Sequence, residues 1–156
     1  MTAYRSFRRS FDSIPDVFAL TAEVFASEQI DPALLPSVDL TLEELFTNMV
    51  KYSASKSGAE IRIDMVGVAN GVEVTLTDYD VAPFDVTQAP DVDIDAPIEQ
   101  RKPGGLGLHL IRRMVDFVHY EYSAESRQSR ITFRKTSAAA PAADVGHPAG
   151  SANARD

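Results

Sequence analysis

The sequence predicts an α+β domain in which two β-hairpins and three helices share one core. Apolar residues recur at helical spacing in three segments, and apolar and polar residues alternate in two pairs of strand-like segments. At 156 residues the chain has the size of a single domain and can bury a self-sufficient core. We therefore expect one sheet with helices packed against it.

The three helices are predicted from their apolar stripes. The first begins at Ser13, whose side chain would cap it, and ends before Asp31-Pro32. The second covers about residues 36–53, and the third follows Gly107 and ends near Val118. Their stripes are Val17, Leu20, Thr21, Val24 and Phe25; Val38, Leu42, Leu45, Phe46, Met49 and Val50; and Leu110, Ile111, Met114, Val115 and Val118.

The strands are predicted from alternation and turn residues. Residues 59–65 and 72–77 alternate on either side of Asn70-Gly71, a preferred hairpin turn, and residues 119–124 and 130–135 form a closing hairpin. Residues 4–10 predict an edge strand, and its three arginines are interpreted as a solvated charged edge that discourages aggregation.

Composition limits the possible partners. The formal net charge of −8 argues against nucleic acid as the main partner, although it allows one basic patch. No cysteine is present, so disulfide and thiol chemistry are excluded. No apolar run reaches membrane-spanning length and no signal peptide is recognised, so we expect a cytoplasmic location without membrane contact. Residues 136–156 are rich in Ala, Pro and Gly and predict a disordered tail, which leaves 1–135 as the domain.

A glycine cluster opens the third helix. Gly104, Gly105 and Gly107 lie directly before its apolar pattern. Glycine lets a ligand approach the backbone, and a helix N-terminus offers free N–H groups, so this segment could hold phosphate. A flexible turn capped by glycines explains the cluster equally well. The preceding residues 79–102 lack periodicity, and a loop of this length is usually a lid, a binding loop or disordered. Its place directly before the glycine cluster favours a lid, whereas its acidity by itself indicates only a solvated surface.

Three polar residues stand beside the predicted core. Glu44 and Asn48 are neighbours at i and i+4 on the flank of the second helix, which by spacing alone indicates an ordinary polar flank. Asp78 continues the inward-facing set of a strand. Burying a carboxylate is costly unless it has a partner, so Asp78 favours a functional role over a strand-end cap.

Taken in order, these features resemble the GHKL ATPases, the superfamily of gyrase, MutL and the histidine kinases. The chain is most similar to the small anti-sigma-factor serine kinases of the RsbW type, over roughly residues 7–135. The motifs that carry the resemblance are Glu43-Glu44-Leu45-Phe46-Thr47-Asn48-Met49-Val50-Lys51-Tyr52, Ala82-Pro83-Phe84-Asp85 and Gly104-Gly105-Leu106-Gly107-Leu108-His109-Leu110-Ile111-Arg112.

The resemblance implies a fold and a set of roles. The fold would be a two-layer α/β sandwich with a mixed, mostly antiparallel sheet and helices on one face. Glu44 would act as the catalytic base, Asn48 would hold Mg²⁺, and Asp78 would accept the adenine amino group of ATP. The remaining nucleotide-binding residues implied by the family are Arg101, Lys102, Gly104, Gly105, Leu106, Gly107 and Leu108.

The implied function is a serine/threonine protein kinase and anti-sigma factor. Its partners would be a small STAS-type antagonist, a sigma factor and a second copy of the chain as a possible homodimer. The alternative is a GHKL-fold binding module without ATP turnover. The ATPase part of a histidine kinase fits less well, because no dimerising helix pair precedes the domain.

One residue departs from the family pattern. Asp80 stands where the family has the glycine of Asp-x-Gly, and a different alignment would put Tyr79 at the aspartate position. A second carboxylate near a bound nucleotide is unfavourable, which favours the binding module. The presence of Glu44 and Asn48 favours the kinase.

Overall fold

The structure, a computed structural model, describes residues 2–85, 87 and 105–137, with the backbone alone for residues 105–107. Its strands and helices, in chain order, are β1 Thr2–Phe7, α1 Ile14–Ser27, α2 Leu35–Tyr52, β2 Ile61–Val68, β3 Gly71–Asp78, α3 Gly105–Met114, β4 Phe117–Ser123 and β5 Gln128–Thr136. Two single 3₁₀ turns, Phe11–Ser13 and Pro32–Leu34, precede α1 and α2.

The described strands form one sheet in the order β1-β2-β3-β5-β4, and every pair is antiparallel. One face of this sheet is apolar because alternate residues point to the same side. In the central strands, Ile63 pairs with Leu76, which pairs with Ile131 in the next strand, and all three are buried. The predicted two-layer sandwich is therefore confirmed.

The helices cover this apolar face. The predicted stripe of α1 is buried, and α2 buries Val38, Leu42, Leu45, Phe46 and Met49. Helix α2 lies in the middle of the layer, since it contacts both α1 and α3. No helix among the described residues is long and apolar enough to cross a membrane.

The turn of the first hairpin follows its sequence. Asn70 has a φ of +65°, which asparagine tolerates better than most residues, and Gly71 follows it. A Cβ on Gly71 would stand 2.0 Å from the carbonyl oxygen of Lys135, so only glycine lets β5 approach this closely.

Helix α3 differs from its prediction. It begins at Gly105 and ends at Met114, and Val118 belongs to β4. Leu110 is 44% exposed, whereas Leu108 and Ile111 in the helix and Val115 just after it are buried. The first turn of the helix thus lies within the glycine cluster. The helix begins earlier than predicted, and Leu108 rather than Leu110 faces the core.

Two smaller predictions are also corrected. Ser13 makes no capping bond; its hydroxyl donates to the Arg8 carbonyl at 2.8 Å, and Ser10 caps the preceding 3₁₀ turn. Strand β5 extends to Thr136, and the Ser137 N–H donates to the Asn70 carbonyl at 2.8 Å. The predicted tail from residue 138 onward lies outside the described residues.

Candidate functional site

Helix α2 places Glu44 and Asn48 side by side, one turn apart. Asn48 is 2% exposed, Glu44 is half-buried, and Glu43 faces solvent. The Asn48 Nδ2 donates to the Glu44 Oε1 at 3.5 Å, a long contact that links the two side chains without locking them. The pair predicted from the sequence is therefore formed at the edge of the core.

The amide oxygen of Asn48 is a candidate ligand atom for a metal ion. It is buried and has no hydrogen-bond partner among the described residues. A buried acceptor without a partner costs free energy, and such groups commonly have a functional reason. A neutral amide oxygen beside a carboxylate is the kind of donor that Mg²⁺ prefers, so these two residues fit the metal that the family implies.

The environment of Glu44 makes its carboxylate more basic. Burial raises the pKa of Glu44, and the hydrogen bond from Asn48 and the charge of Lys51 offset part of that increase. A general base works best when its pKa approaches the working pH. The half-buried position is thus consistent with proton transfer.

Asp78 ends β3 on the inner face of the sheet, and its side chain is fully buried. It shares this face with Val72, Val74 and Leu76, as its alternation in the sequence predicts. Tyr79 instead lines a cleft on the opposite face, together with Arg62. Asp78 rather than Tyr79 therefore places its side chain on the inner face of the sheet.

Arg9 is the partner of Asp78. Its Nη2 donates to Asp78 Oδ1 and its Nη1 lies 3.4 Å from Oδ2. The same Nη1 donates to the carbonyl oxygens of Ser53 and Met49, at 3.0 and 3.4 Å. The guanidinium therefore joins the end of β3 to the C-terminal end of α2. Asn48 lies on the same helix.

The interpretation of the N-terminal arginines as a solvated edge is wrong for Arg9, whose side chain is only 14% exposed. Two signals in the sequence could have identified it. Arg9 is in phase with Phe7, which is buried, and a buried Asp78 requires a compensating cation.

Asp80 has a left-handed backbone conformation of the kind that glycine adopts without strain. Its φ is +58°, a left-handed value that aspartate adopts more readily than most residues. Its carboxylate lies 3.3 Å from the Arg127 Nε, and a hydrogen bond from Ser57 lowers its pKa. The negative charge of Asp80 is thus balanced by local partners.

The segment after Asp80 is held by two tyrosines of β4. The Tyr122 hydroxyl donates to the Val81 carbonyl at 2.7 Å, and the Phe84 N–H donates to the Tyr120 hydroxyl at 3.1 Å. These bonds fix the start of the segment predicted as a lid. Most of that segment, including Arg101 and Lys102, lies outside the described residues.

The structure describes only part of the glycine motif. Gly104 lies outside the described residues, and for Gly105, Leu106 and Gly107 the backbone forms the first turn of α3. Leu108 is buried in the core. Because α3 packs against α2, the start of α3 belongs to the same helical layer as the Glu44–Asn48 pair.

The sequence matches the model of a known family. A comparison with curated proteins gave no match. The model of the histidine kinase-like ATPase domain matches residues 7–135, which contain Arg9, the Glu44–Asn48 pair, Asp78 and the glycine motif. The match implies an ATP-binding, kinase-like domain, and the chain belongs to the histidine kinase-like ATPase family.

Proposed function

We propose that this chain is an ATP-dependent serine/threonine protein kinase that also acts as an anti-sigma factor. It would phosphorylate a small STAS-type antagonist and hold a sigma factor when the antagonist is absent. The observation that carries this proposal is the Glu44–Asn48 pair, a carboxylate of raised pKa beside a buried amide oxygen without a partner among the described residues. A domain that only binds proteins has no need of this pair.

In the proposed reaction Glu44 accepts a proton. As the serine oxygen of the antagonist bonds to the γ-phosphorus of ATP, the serine proton moves to the Glu44 carboxylate. The bond between the γ-phosphorus and the bridging oxygen breaks, and ADP leaves. The raised pKa of Glu44 favours this transfer, and the hydrogen bond from Asn48 orients the carboxylate.

Asn48 would hold Mg²⁺ through its free Oδ1. When bound, the metal supplies positive charge that neutralises the phosphates of the nucleotide. The N-terminal turn of α3, which begins at Gly105, would direct backbone N–H groups toward those phosphates. Arg101, Lys102 and Gly104 are proposed as further phosphate contacts on the resemblance alone.

A binding module without turnover is the second candidate. The Arg9–Asp78 ion pair favours it, because the carboxylate proposed to recognise adenine already has a partner inside the chain. Such a module would hold its sigma factor without transferring phosphate.

Transfer of labelled γ-phosphate from ATP to a small STAS-type antagonist separates the two candidates. Wild type should transfer, and Glu44→Gln should reduce the rate by about 10²–10⁴-fold, the usual loss for a general base. Glu43→Gln is the matched control, since Glu43 is one position away and exposed. If folded wild type binds a partner tightly but neither binds ATP nor transfers phosphate, the kinase proposal is wrong and the binding module stands.

A further inference from the structure

We infer that Arg9 determines base specificity in the nucleotide site, because its ion pair with Asp78 competes with the 6-amino group of adenine for the carboxylate. This inference rests on the proposed binding of nucleotide at Asp78. Arg9 lies before the three motifs in the sequence and is part of none of them.

The carboxylate is closed to a ligand while the pair is intact. Both oxygens of Asp78 lie near guanidinium nitrogens, and the side chain is 0% exposed. An amino group can therefore reach Asp78 only after the neighbouring side chains move. Arg9 is the neighbour whose movement would free the acceptor, because its side chain is 14% exposed and so reaches the surface.

The ion pair leaves one hydrogen-bonding group unsatisfied. The Arg9 Nε is buried without a partner among the described residues, although the guanidinium donates to Asp78 and to the carbonyl oxygens of Met49 in α2 and of Ser53 just after it. If Arg9 served only to cap the C-terminal end of α2, burying its Nε without a hydrogen-bond partner would bring no benefit. Because one buried donor is unsatisfied, the pair is an incompletely compensated arrangement that a ligand can displace.

The chemistry of the base determines how it responds to Arg9. Adenine presents a donor, the 6-amino group, which needs the Asp78 oxygens. Hypoxanthine has a carbonyl at the same position, which needs a donor such as the guanidinium. Arg9 therefore weakens the preference for adenine over hypoxanthine, and neutralising Arg9 should strengthen it.

The test is calorimetric titration of ADP and of inosine diphosphate, in parallel, into three proteins: wild type, Arg9→Gln and Arg8→Gln. Arg8 is the matched control, since the neighbouring arginine is exposed and its removal changes the net charge equally. Loss of a cation weakens both nucleotides alike, so the ratio of the two Kd values isolates the base. We expect the ratio of the inosine diphosphate Kd to the ADP Kd to rise about tenfold or more in Arg9→Gln, and to stay unchanged in Arg8→Gln.

The outcomes separate this inference from the proposed function. If ADP binds all three proteins with the same ratio, Arg9 does not affect base specificity and the inference is overturned, while nucleotide binding stands. If neither nucleotide binds folded wild type or folded Arg9→Gln, the proposed function fails, and the base site fails with it. Thermal melting establishes that each variant is folded.

If Arg9→Gln does not fold, Arg9→Lys replaces it. A lysine keeps the charge but lacks the planar fork that holds two oxygens at once. It should raise the ratio by a smaller factor, and an unchanged ratio with folded protein overturns the inference.

Discussion

The two carboxylates of the site, Glu44 and Asp78, differ in how fully they are satisfied inside the chain. Glu44 is half-buried and has one long hydrogen bond, from Asn48 at 3.5 Å. Asp78 is fully buried and forms an ion pair with Arg9. The Glu44 carboxylate remains available to exchange a proton, whereas the charge of Asp78 is already balanced by Arg9.

This difference indicates that the two halves of the site contribute differently to the protein. Residues that perform chemistry keep polar groups without a partner inside the protein, and this lowers the stability of the fold. The pair at Asp78 links strand β3 to helix α2 and should hold the fold together, because removing one partner would leave an unpaired buried charge. Three substitutions test this comparison.

Asp78→Ala should have the largest effect. It would leave the Arg9 cation buried without its partner, at a cost of about 3–5 kcal/mol. For a domain of this size that corresponds to a fall in Tm of about 10 °C or more. Circular dichroism melting measures it. The double variant Arg9→Met/Asp78→Leu should recover part of the loss, and a Tm within about 2 °C of wild type in Asp78→Ala would contradict a structural role for the pair.

Glu44→Gln should have a smaller effect of opposite sign. Because burial raises the folded pKa of Glu44 above 4.5, the native chain holds more protons than the unfolded chain between 4.5 and the raised value. Stability therefore falls as pH rises through this window, and the loss is complete above it. Gln removes the loss, so the Tm at pH 7 should rise by about 1–3 °C.

Melting curves of Glu44→Gln across the acid range test the cause of that rise. The gain should shrink as pH falls through the window and vanish below pH 4.5. The exposed Glu43→Gln is the control. A variant that melts below wild type at pH 7 would show that the Glu44 carboxylate stabilises the fold, contrary to the comparison.

Asp80→Gly should have the smallest effect. Glycine relieves the left-handed φ of +58° but loses the exposed ion pair with Arg127 and adds freedom to the unfolded chain. These contributions are small and oppose one another, so the Tm should change by less than about 3 °C. Asp80→Asn is the control, since it keeps a residue suited to this conformation. A fall of more than about 5 °C would show that the Arg127 pair holds the segment.

Local patterns in the sequence predicted most of the fold. The alternation around Asn70-Gly71 and the stripes of α1 and α2 are each set by neighbouring residues, and the structure confirms them. The predicted stripe of α3 is confirmed at Ile111 and Val115 but wrong at Leu110, because glycines ordinarily end regular structure. Here Gly105 begins the helix, so Leu108 is buried and Leu110 is exposed.

The site was predicted only in part because its contacts are not all local. Glu44 and Asn48 interact within one helix, so their spacing identifies the pair. Arg9 meets Asp78 across 69 positions of sequence, and no local pattern assigns one to the other. The need of a buried carboxylate for a cation could be foreseen, but which arginine supplies it depends on how β1 and β3 lie in the sheet.

Titration of wild type with ATP, with and without Mg²⁺, tests whether the Glu44–Asn48 pair belongs to a nucleotide site. We expect saturable one-to-one binding that Mg²⁺ tightens, because the Asn48 Oδ1 has no partner among the described residues and could bind the metal. In Asn48→Ala the Mg²⁺-dependent gain should fall by about tenfold, and in Asn48→Asp, which keeps the oxygen, it should persist. Folded wild type that binds no ATP at millimolar concentration, or binds it equally well without Mg²⁺ and in Asn48→Ala, would contradict the account.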